Sequence, residues 1–556
     1  MANNGSAHHA RRLSYEGKPL QDIPKSWKFT SKLKPDALFP TPAASHKTPR
    51  DDIGPRMVRD ALFTWVRPEK QHDPELLAVS PAAMRDLGII DDEKSTEDFR
   101  QFVAGNKLYG WDEDTLQGGY PWAQCYGGYQ FGQWAGQLGD GRAISLFETT
   151  NPATDIRYEL QLKGAGLTPY SRFADGKAVL RSSIREFIVS EALNALSIPT
   201  TRALSLTLLP HSKVLRERLE PGAIVLRFAQ SWLRLGTFDL LRSRGDRKLN
   251  TDNTSVFGLS IDFGPFAFMD NFDPSYTPNH DDAMLRYSYR NQPTIIWWNL
   301  VRLGESLGEL MGMGSAVDDE SYIAEGVKKG QEDEVIARAE KLITQAGEEY
   351  KHTFLSEYKR LMTRRLGLRQ QRESDFDVLF SEALDTLEAF ELDFSHFFRR
   401  LSSVKLAQVA TEDARRQTAR IFFHNEGLPK TVTESDALDR ISKWLSKWHD
   451  RVVGDWSSDG AVTEGAEAER IQAMKQVNPN FVPRGWILDE IIRRVEKEGD
   501  RNVLDRVMHM ALHPFHDSWS GLEFDGATYQ GDRDEERRWV GDVPRFERAM
   551  QCSCSS

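Results

Sequence analysis

A chain of 556 residues, 39% hydrophobic and 10% aromatic, reads as an ordinary globular protein with room for one large core or about two to three smaller ones. Its net charge of −11 excludes a broad basic field and with it nucleic-acid binding by counterion release, so any phosphate chemistry has to rest on a local basic pocket. No apolar run reaches the roughly 18 residues of a membrane span, and three cysteines, Cys125, Cys552 and Cys554, are too few and too unevenly spaced for a disulfide framework or a four-ligand zinc site.

Residues 1–55 read as a tail in which basic side chains from Arg11 to Arg50 outnumber Glu16, Asp22 and Asp36. A basic, acid-poor leader with serines and no apolar h-region suits an organelle transit peptide, and equally a disordered basic arm. From Met57 to about Phe228, short apolar strands alternate with glycine turns. Within Gly127–Glu148, Gly139-Asp140-Gly141-Arg142 offers backbone N–H groups and a forked guanidinium to phosphate oxygens, or simply closes a tight hairpin.

Tyr158–Lys163 (YELQLK) alternates as a strand does and ends at Gly164-Ala165-Gly166. Lys163 at that strand end is either aimed into a cleft or merely solvated. The next segment is helical, with Ile184, Phe187, Ile188, Ala192, Ala195 and Leu196 on one face. Ser183 and Glu186 are spaced as a capping box; alternatively Glu186 reaches back to Lys163, the way kinase-like sites hold a cation for nucleotide phosphates. Arg227 and Arg234 are seven apart, so on one helix they share a face that could clamp a polyphosphate or lie in solvent.

Leu249–Phe266 (LNTDNTSVFGLSIDFGPF) predicts an oxygen-rich turn at Asp252-Asn253, a short buried strand, and a carboxylate, Asp262, at a glycine turn. Hard oxygen ligands so arranged suit Mg²⁺: Asn253 and Asp262 would hold the metal and Asp252 would take a proton from an incoming hydroxyl. The plain alternative is an Asx turn capped by its own side chains. Beyond it, residues 294–312, 320–365, 376–401 and 405–423 have helical periodicity, and 454–467 is a polar loop. The pattern predicts an α+β protein: a smaller lobe over 56–230, a cleft, a larger mainly helical lobe over 231–545, and a cysteine-containing tail at 546–556.

The motifs GGYQFGQWAGQLGDGRA (Gly127–Ala143), ELQLKGAGLTPYSRFADGKAVLRSSIREF (Glu159–Phe187), IPTTRALSL (Ile198–Leu206), NTDN (Asn250–Asn253) and IDFGPFAFMD (Ile261–Asp270) closely resemble the selenoprotein O family of protein adenylyltransferases, in a fungal-type, cysteine-containing form. The resemblance runs from about Ala61 to the C-terminus. It implies a bilobal protein-kinase-like fold, a mitochondrial location, and ATP bound in a flipped orientation, so that AMP passes to Ser, Thr or Tyr hydroxyls of protein substrates. By matching position it implies ATP contacts at Gly139, Gly141, Arg142, Lys163, Asp175, Gly176, Arg227, Arg234 and Asp262. It also implies metal ligands at Asn253 and Asp262 for Mg²⁺ or Mn²⁺, Asp252 as proton acceptor and Glu186 as the partner of Lys163.

Two departures stand out. In the family a largely helical segment of several tens of residues separates the position of Arg234 from the NTDN turn, whereas fifteen residues lie between Arg234 and Asn250 here. A missing exon or a splice variant accounts for this, and it opens a second reading, a non-catalytic ATP-binding, pseudokinase-like protein. Ordinary phosphotransfer is a further rival. At the other end, the family's paired C-terminal positions fall on Cys554 and Gln551, with Cys552 two residues before Cys554, giving either a strained redox pair or a flexible unpaired tail.

Overall fold

The computed structural model describes residues 17–244, 252–255, 257–264, 266–458, 461–524, 526–543, 545 and 548, without the side chains of Leu241, Arg242 and residues 252–255. Cys552, Cys554 and the first sixteen residues lie outside the described residues. The architecture is α+β, and the chain divides into two compact units, Met1–Phe266 with Ile295–Ala346, and Ala267–Thr294 with Gly347–Cys552. The sequence pattern drew its line near residue 230 instead.

The first unit is built on a nine-stranded antiparallel sheet. In chain order its strands are β1 (Phe63–Trp65), β2 (Glu75–Val79), β3 (Trp122–Tyr126), β4 (Leu138–Gly139), β5 (Ala143–Asn151), β6 (Ile156–Lys163), β7 (Ala178–Val179), β8 (Arg202–Leu215) and β9 (Leu219–Ala229). They lie side by side as β1-β3-β5-β6-β9-β8-β2, with β4 on β3 and β7 on β9. The predicted strand YELQLK is thus the centre of the sheet. Its alternation sends Tyr158, Leu160 and Leu162 to one face, where they join Ile224, Leu226 and Phe228 of β9 in the main core. Glu159, Gln161 and Lys163 point to the other face, with Gln161 opposite both Arg227 and Ser145.

Arg227 therefore stands on a strand, not on a helix shared with Arg234; that expectation is corrected. The run Ala223–Phe228 is buried at the middle of the sheet, where strand pairing on both sides outweighs helical spacing. The helix Leu180–Ala195 lies over the Arg227 face, burying Ile184, Phe187, Ile188 and Ala192 as expected. It starts after the extended Val179, without a side-chain cap, and is followed by Ser197 in the left-handed region at φ 62° and by Pro199. The Ser183–Glu186 capping box does not form, because both residues sit inside the helix.

Residues 17–53, expected within a tail, are part of this unit. Leu20, Ile23, Phe39 and Ile53 belong to its main core. Ser26 pairs with Glu148 on β5, and Trp27 Nε1 donates to Leu146 O at 3.0 Å. The basic side chains here find backbone oxygens: Lys25 Nζ donates to the carbonyls of Leu20, Gln21 and Ile23 at 2.8–3.0 Å. A basic composition with few acids did not preclude packing, because enough large apolar residues are interleaved with it.

Two short strands, β10 (Arg234–Leu235) and β11 (Asp252–Ser255), pair across the shortened connection, Leu235 opposite Asp252. Among the described residues the buried strand predicted after the Asp252-Asn253 turn is not there: the extended segment is Asp252–Ser255 itself, Phe257 is exposed, and Gly258 takes φ 69°. The helices Gln292–Met313 and Glu332–Arg365 agree with the periodicity over 294–312 and 320–365, apart from a break at Gly326 and Gly330, both at positive φ.

The second unit is helical. Its core gathers Trp444, Trp448 and Trp456 of the helix Glu434–Trp456, whose indole N–H groups donate to Leu379 O, Leu366 O and Gly367 O at 2.8–3.1 Å. Residues 376–401 do not make one helix: Glu391 turns at φ 49° and Asp393 caps a new helix at His396 N. The expected loop 454–467 shrinks to 457–463 between the helices Glu434–Trp456 and Glu464–Lys475. Among the described residues no helix is long and apolar enough to cross a membrane.

Candidate active site

The polar face of β6 and β9 and the helix Leu180–Ala195 converge on Asp262. Lys163 Nζ lies 2.5 Å from Glu186 Oε2 and 2.6 Å from Asp262 Oδ1. Arg227 NH1 lies 2.9 Å from Glu186 Oε1 and 2.6 Å from the same Asp262 oxygen. Of the two roles open to Glu186, the structure takes the partner of Lys163. Arg234 NH2 stands 3.8 Å from Asp262 Oδ2 and 3.6 Å from Asp140 Oδ1. Lys163, Glu186, Arg227 and Arg234 are buried, while the Asp262 side chain is 47% exposed, so this carboxylate is the cluster's face to solvent.

Burial pulls the Lys163 ammonium below its ordinary pKa; Asp262 and Glu186 oppose that shift, and Arg227 and Arg142 add to it. Burial alone would raise Asp262, yet the charges of Lys163, Arg227 and Arg234 hold it well below the usual carboxylate range. Asp262 sits at φ 64°, a left-handed conformation that Asp tolerates better than most residues and that turns its carboxylate toward the cations.

Several members of the site were not picked out by sequence. Gln161 Oε1 accepts from Arg227 Nε and NH2 at 3.1 and 2.8 Å, and its Nε2 donates to Asp140 Oδ2 at 3.2 Å. It thereby fixes the guanidinium plane and ties the strand to the glycine turn. The Arg227 guanidinium lies 4.4 Å from the Trp232 ring centre and that of Arg234 4.9 Å from Tyr126. Nε and NH1 of Arg234 are buried with no hydrogen-bond partner among the described residues. Donors so placed suit an incoming acceptor such as phosphate. Gln161 was findable, since the alternation of YELQLK puts it on the face of Lys163; Trp232 and Tyr126 carried no local signal.

Gly139 and Gly141 are required by space. A Cβ on Gly139 would stand 2.4 Å from Tyr170 Cγ, and one on Gly141 2.8 Å from Tyr170 O. Thr168 Oγ1 donates to Asp140 O at 2.8 Å and Ser171 Oγ to Gly141 O, so the loop 168–171 clasps the turn. Arg142 O accepts from Gly164 N at 2.7 Å, which brings Arg142 beside Lys163. Asp175 does not join the cluster: its carboxylate takes a two-pronged ion pair from Arg216 at 2.8 Å, while Gly176 O accepts from Gly166 N at 3.1 Å. The side chains of Asp252 and Asn253 lie outside the described residues; their backbone is β11, paired with β10, which carries Arg234.

A group with metal-ligand spacing, Asp393, His396 and Asp542, occurs in the second unit and shares no residue with the predicted ligands. Arg484 already pairs with Asp393, and Arg400 with Asp542 at 2.8 Å, so its charge is met by guanidinium groups.

Fold and site define an α+β protein whose antiparallel sheet carries a buried cation cluster, half-open at one aspartate, suited to phosphate oxygens. A family model described as "Protein adenylyltransferase SelO" matches residues 55–249 and 245–512. "Protein adenylyltransferase SelO, mitochondrial" of Schizosaccharomyces pombe is 38% identical over 602 aligned positions, covering 97% of this chain and 100% of that protein. The protein of the same name from Saccharomyces cerevisiae is 31% identical, covering 83% and 87%. "Protein nucleotidyltransferase YdiU" of Nitrosospira multiformis is 33% identical, covering 83% and 88%. The chain belongs to the SelO family of protein adenylyltransferases.

Proposed function

We propose that this chain moves AMP from ATP to Ser, Thr or Tyr hydroxyls of other proteins. The enzyme class, a protein adenylyltransferase, comes with family membership; the residue roles are our reading. The observation that carries it is the convergence of Lys163 and Arg227 on one oxygen of the half-exposed Asp262, with Arg234 beside it. Lys163, Arg142, Arg227 and Arg234 would take phosphate oxygens, helped by the turn Gly139–Gly141, and Asp175 and Gly176 would line the nucleotide. Asp262, whose side chain is half exposed, and Asn253 would hold Mg²⁺ or Mn²⁺. When bound, the metal neutralises charge that develops on phosphate.

In the transfer the acceptor oxygen bonds to the α-phosphorus, the bond from that phosphorus to the β-bridging oxygen breaks, and pyrophosphate leaves with the electron pair. Asp252 receives the hydroxyl proton. The wider arrangement would be two-lobed and protein-kinase-like. The location would be mitochondrial, as in the names of the two fungal relatives.

The test is incubation with a divalent metal and ATP labelled on the α- or the γ-phosphate. Protein is expected to acquire α-label and no γ-label; the reverse pattern would mean ordinary kinase chemistry. The junction at residues 245–249 favours one second reading, a nucleotide binder without transfer. Thermal stabilisation by ATP that Lys163→Ala abolishes, with no label transferred, is the result that would select it.

A further inference from the structure

In the second unit, Arg365 ends the helix Glu332–Arg365 with its side chain half-buried. Its guanidinium lies 4.2 Å from the Phe398 ring centre and 4.8 Å from that of Phe394. Arg365 Nε donates to Oδ1 of the buried Asn478 at 3.0 Å, and Asn478 Nδ2 donates to Arg365 O at 2.9 Å and to Ser402 Oγ at 3.0 Å, so the amide is locked at both ends. The two rings and this bond fix the fork before any ligand arrives. Arg399 and Arg451 of the same unit meet Asp517 and Asp375 at 2.6 and 2.7 Å. Among the described residues no acid lies within ion-pair distance of Arg365, and its NH1 and NH2 have no hydrogen-bond partner yet are not sealed from solvent.

Two phenols stand with it. Tyr358 is seven residues back on the same helix, two turns along one face, and helical side chains lean toward the N-terminus, which carries Arg365 toward it. Tyr289, in the turn Tyr289–Asn291, has its ring centre 6.3 Å from that of Phe394. Both tyrosines are half-buried, and neither hydroxyl has a hydrogen-bond partner among the described residues. The three groups feel one another: burial raises both phenols, Tyr358 to about 12, and the Arg365 charge lowers both. Burial pulls the guanidinium down to about 10, opposed by the two phenols. A cation held against apolar rings without a counter-charge is costly, and an anion at its open edge removes that cost.

We propose that Arg365, Tyr289 and Tyr358 form a phosphate-binding site in the second unit, one that shares no residue with the cluster at Asp262. The open edge of the guanidinium offers N–H groups to two phosphate oxygens, and the hydroxyls of Tyr289 and Tyr358 donate to the others. Donors arriving from two separate elements suit a tetrahedral oxyanion better than a planar carboxylate. The phosphate is free or carried on a small molecule. This inference does not depend on AMP transfer, and its readouts are not activity.

The experiment labels the arginines of the full chain with phenylglyoxal and reads Arg365 by peptide mass spectrometry, with its exposed neighbour Arg364 as the control. Inorganic phosphate is expected to slow labelling of Arg365 at least about fivefold, half-maximally at about 1–10 mM, and to leave Arg364 unchanged. Sodium chloride and sodium acetate at equal ionic strength are expected to protect neither. Phenyl phosphate in place of inorganic phosphate separates the sources: tighter protection means a phosphate carried on an aromatic group, equal protection a free phosphate. Tyr289→Phe and Tyr358→Phe remove only hydroxyls, and each is expected to raise the half-protecting concentration about tenfold with Tm unchanged. No protection at ten times the expected concentration, equal protection by chloride or acetate, or half-protection unmoved in both phenylalanine variants would each overturn the proposal.

Discussion

Lys163 serves two carboxylates at once, and the two differ in what its loss should cost. Glu186 is buried and would be stranded, whereas Asp262 is 47% exposed and can be rehydrated. Lys163→Met is therefore expected to cost about 3 kcal/mol, the lower end for breaking a buried pair. AMP transfer is expected to fall by about 100-fold or more. Urea unfolding and label transfer measured on the same preparation check this; lost stability with intact transfer would make the cluster purely structural. Glu159, on the same face of β6, behaves differently. Burial, only partly offset by Arg157, pushes its pKa up to about 8. A carboxyl raised in the folded state binds its proton more tightly there, so its contribution is full below about pH 4.3 and is lost as pH rises through about 8. Relative to Glu159→Gln, the unmodified chain is expected to lose up to about 1.4 kcal/mol per pH unit across that window, read as a widening gap in Tm.

At the scale of elements, the row Gly304, Gly308 and Gly312 of Gln292–Met313, set against Ile343, Ala339 and Val335 of Glu332–Arg365, separates two effects that usually merge. Exchanging a helical glycine for alanine gains roughly 1 kcal/mol from propensity wherever there is room. Gly308 has that room, with Ala339 Cβ at 3.8 Å, and Gly308→Ala is expected to stabilise the protein. At Gly312 the new methyl would meet Val335 O at 2.2 Å, a backbone atom that cannot swing away. Gly312→Ala is expected to destabilise by about 1–3 kcal/mol, because overpacking exceeds the propensity gain. Denaturant midpoints of opposite sign bear this out; equal signs would mean that the helices do not pack along this row.

For the whole molecule, the N-terminal segment sets where processing can occur. Leu20, Ile23, Phe39 and Ile53 are core residues, so removal of residues 1–55 would open the main core of the first unit. If the chain is imported and cleaved, the mature N-terminus is expected to precede Leu20. Mass spectrometry of the protein purified from mitochondria reads this directly, and a mature start beyond Ile53 would contradict the packing.

Much of the site was legible because its signals are local. Lys163 closes an alternating strand and Glu186 lies on the next helix, as periods of two and 3.6 place them, and Asp262 stands in an Asp-Phe-Gly turn where it takes φ 64° itself. The helix Glu434–Trp456 was also written in the sequence, with Ala437, Ile441, Trp444, Trp448 and Val452 on one face, though the periodicity reading stopped before it. Arg227 was misplaced because a spacing of seven is helical only if the segment is, and that depends on β6 and β8 lying on either side of it. Gln161, Asp140, Tyr126 and Trp232 came to the site through partners tens of residues away. The sequence alone determined which charged groups exist and which segments alternate. Only the tertiary structure decided which charges meet, since burial and strand neighbours, unlike periodicity, are properties of chain segments distant in sequence.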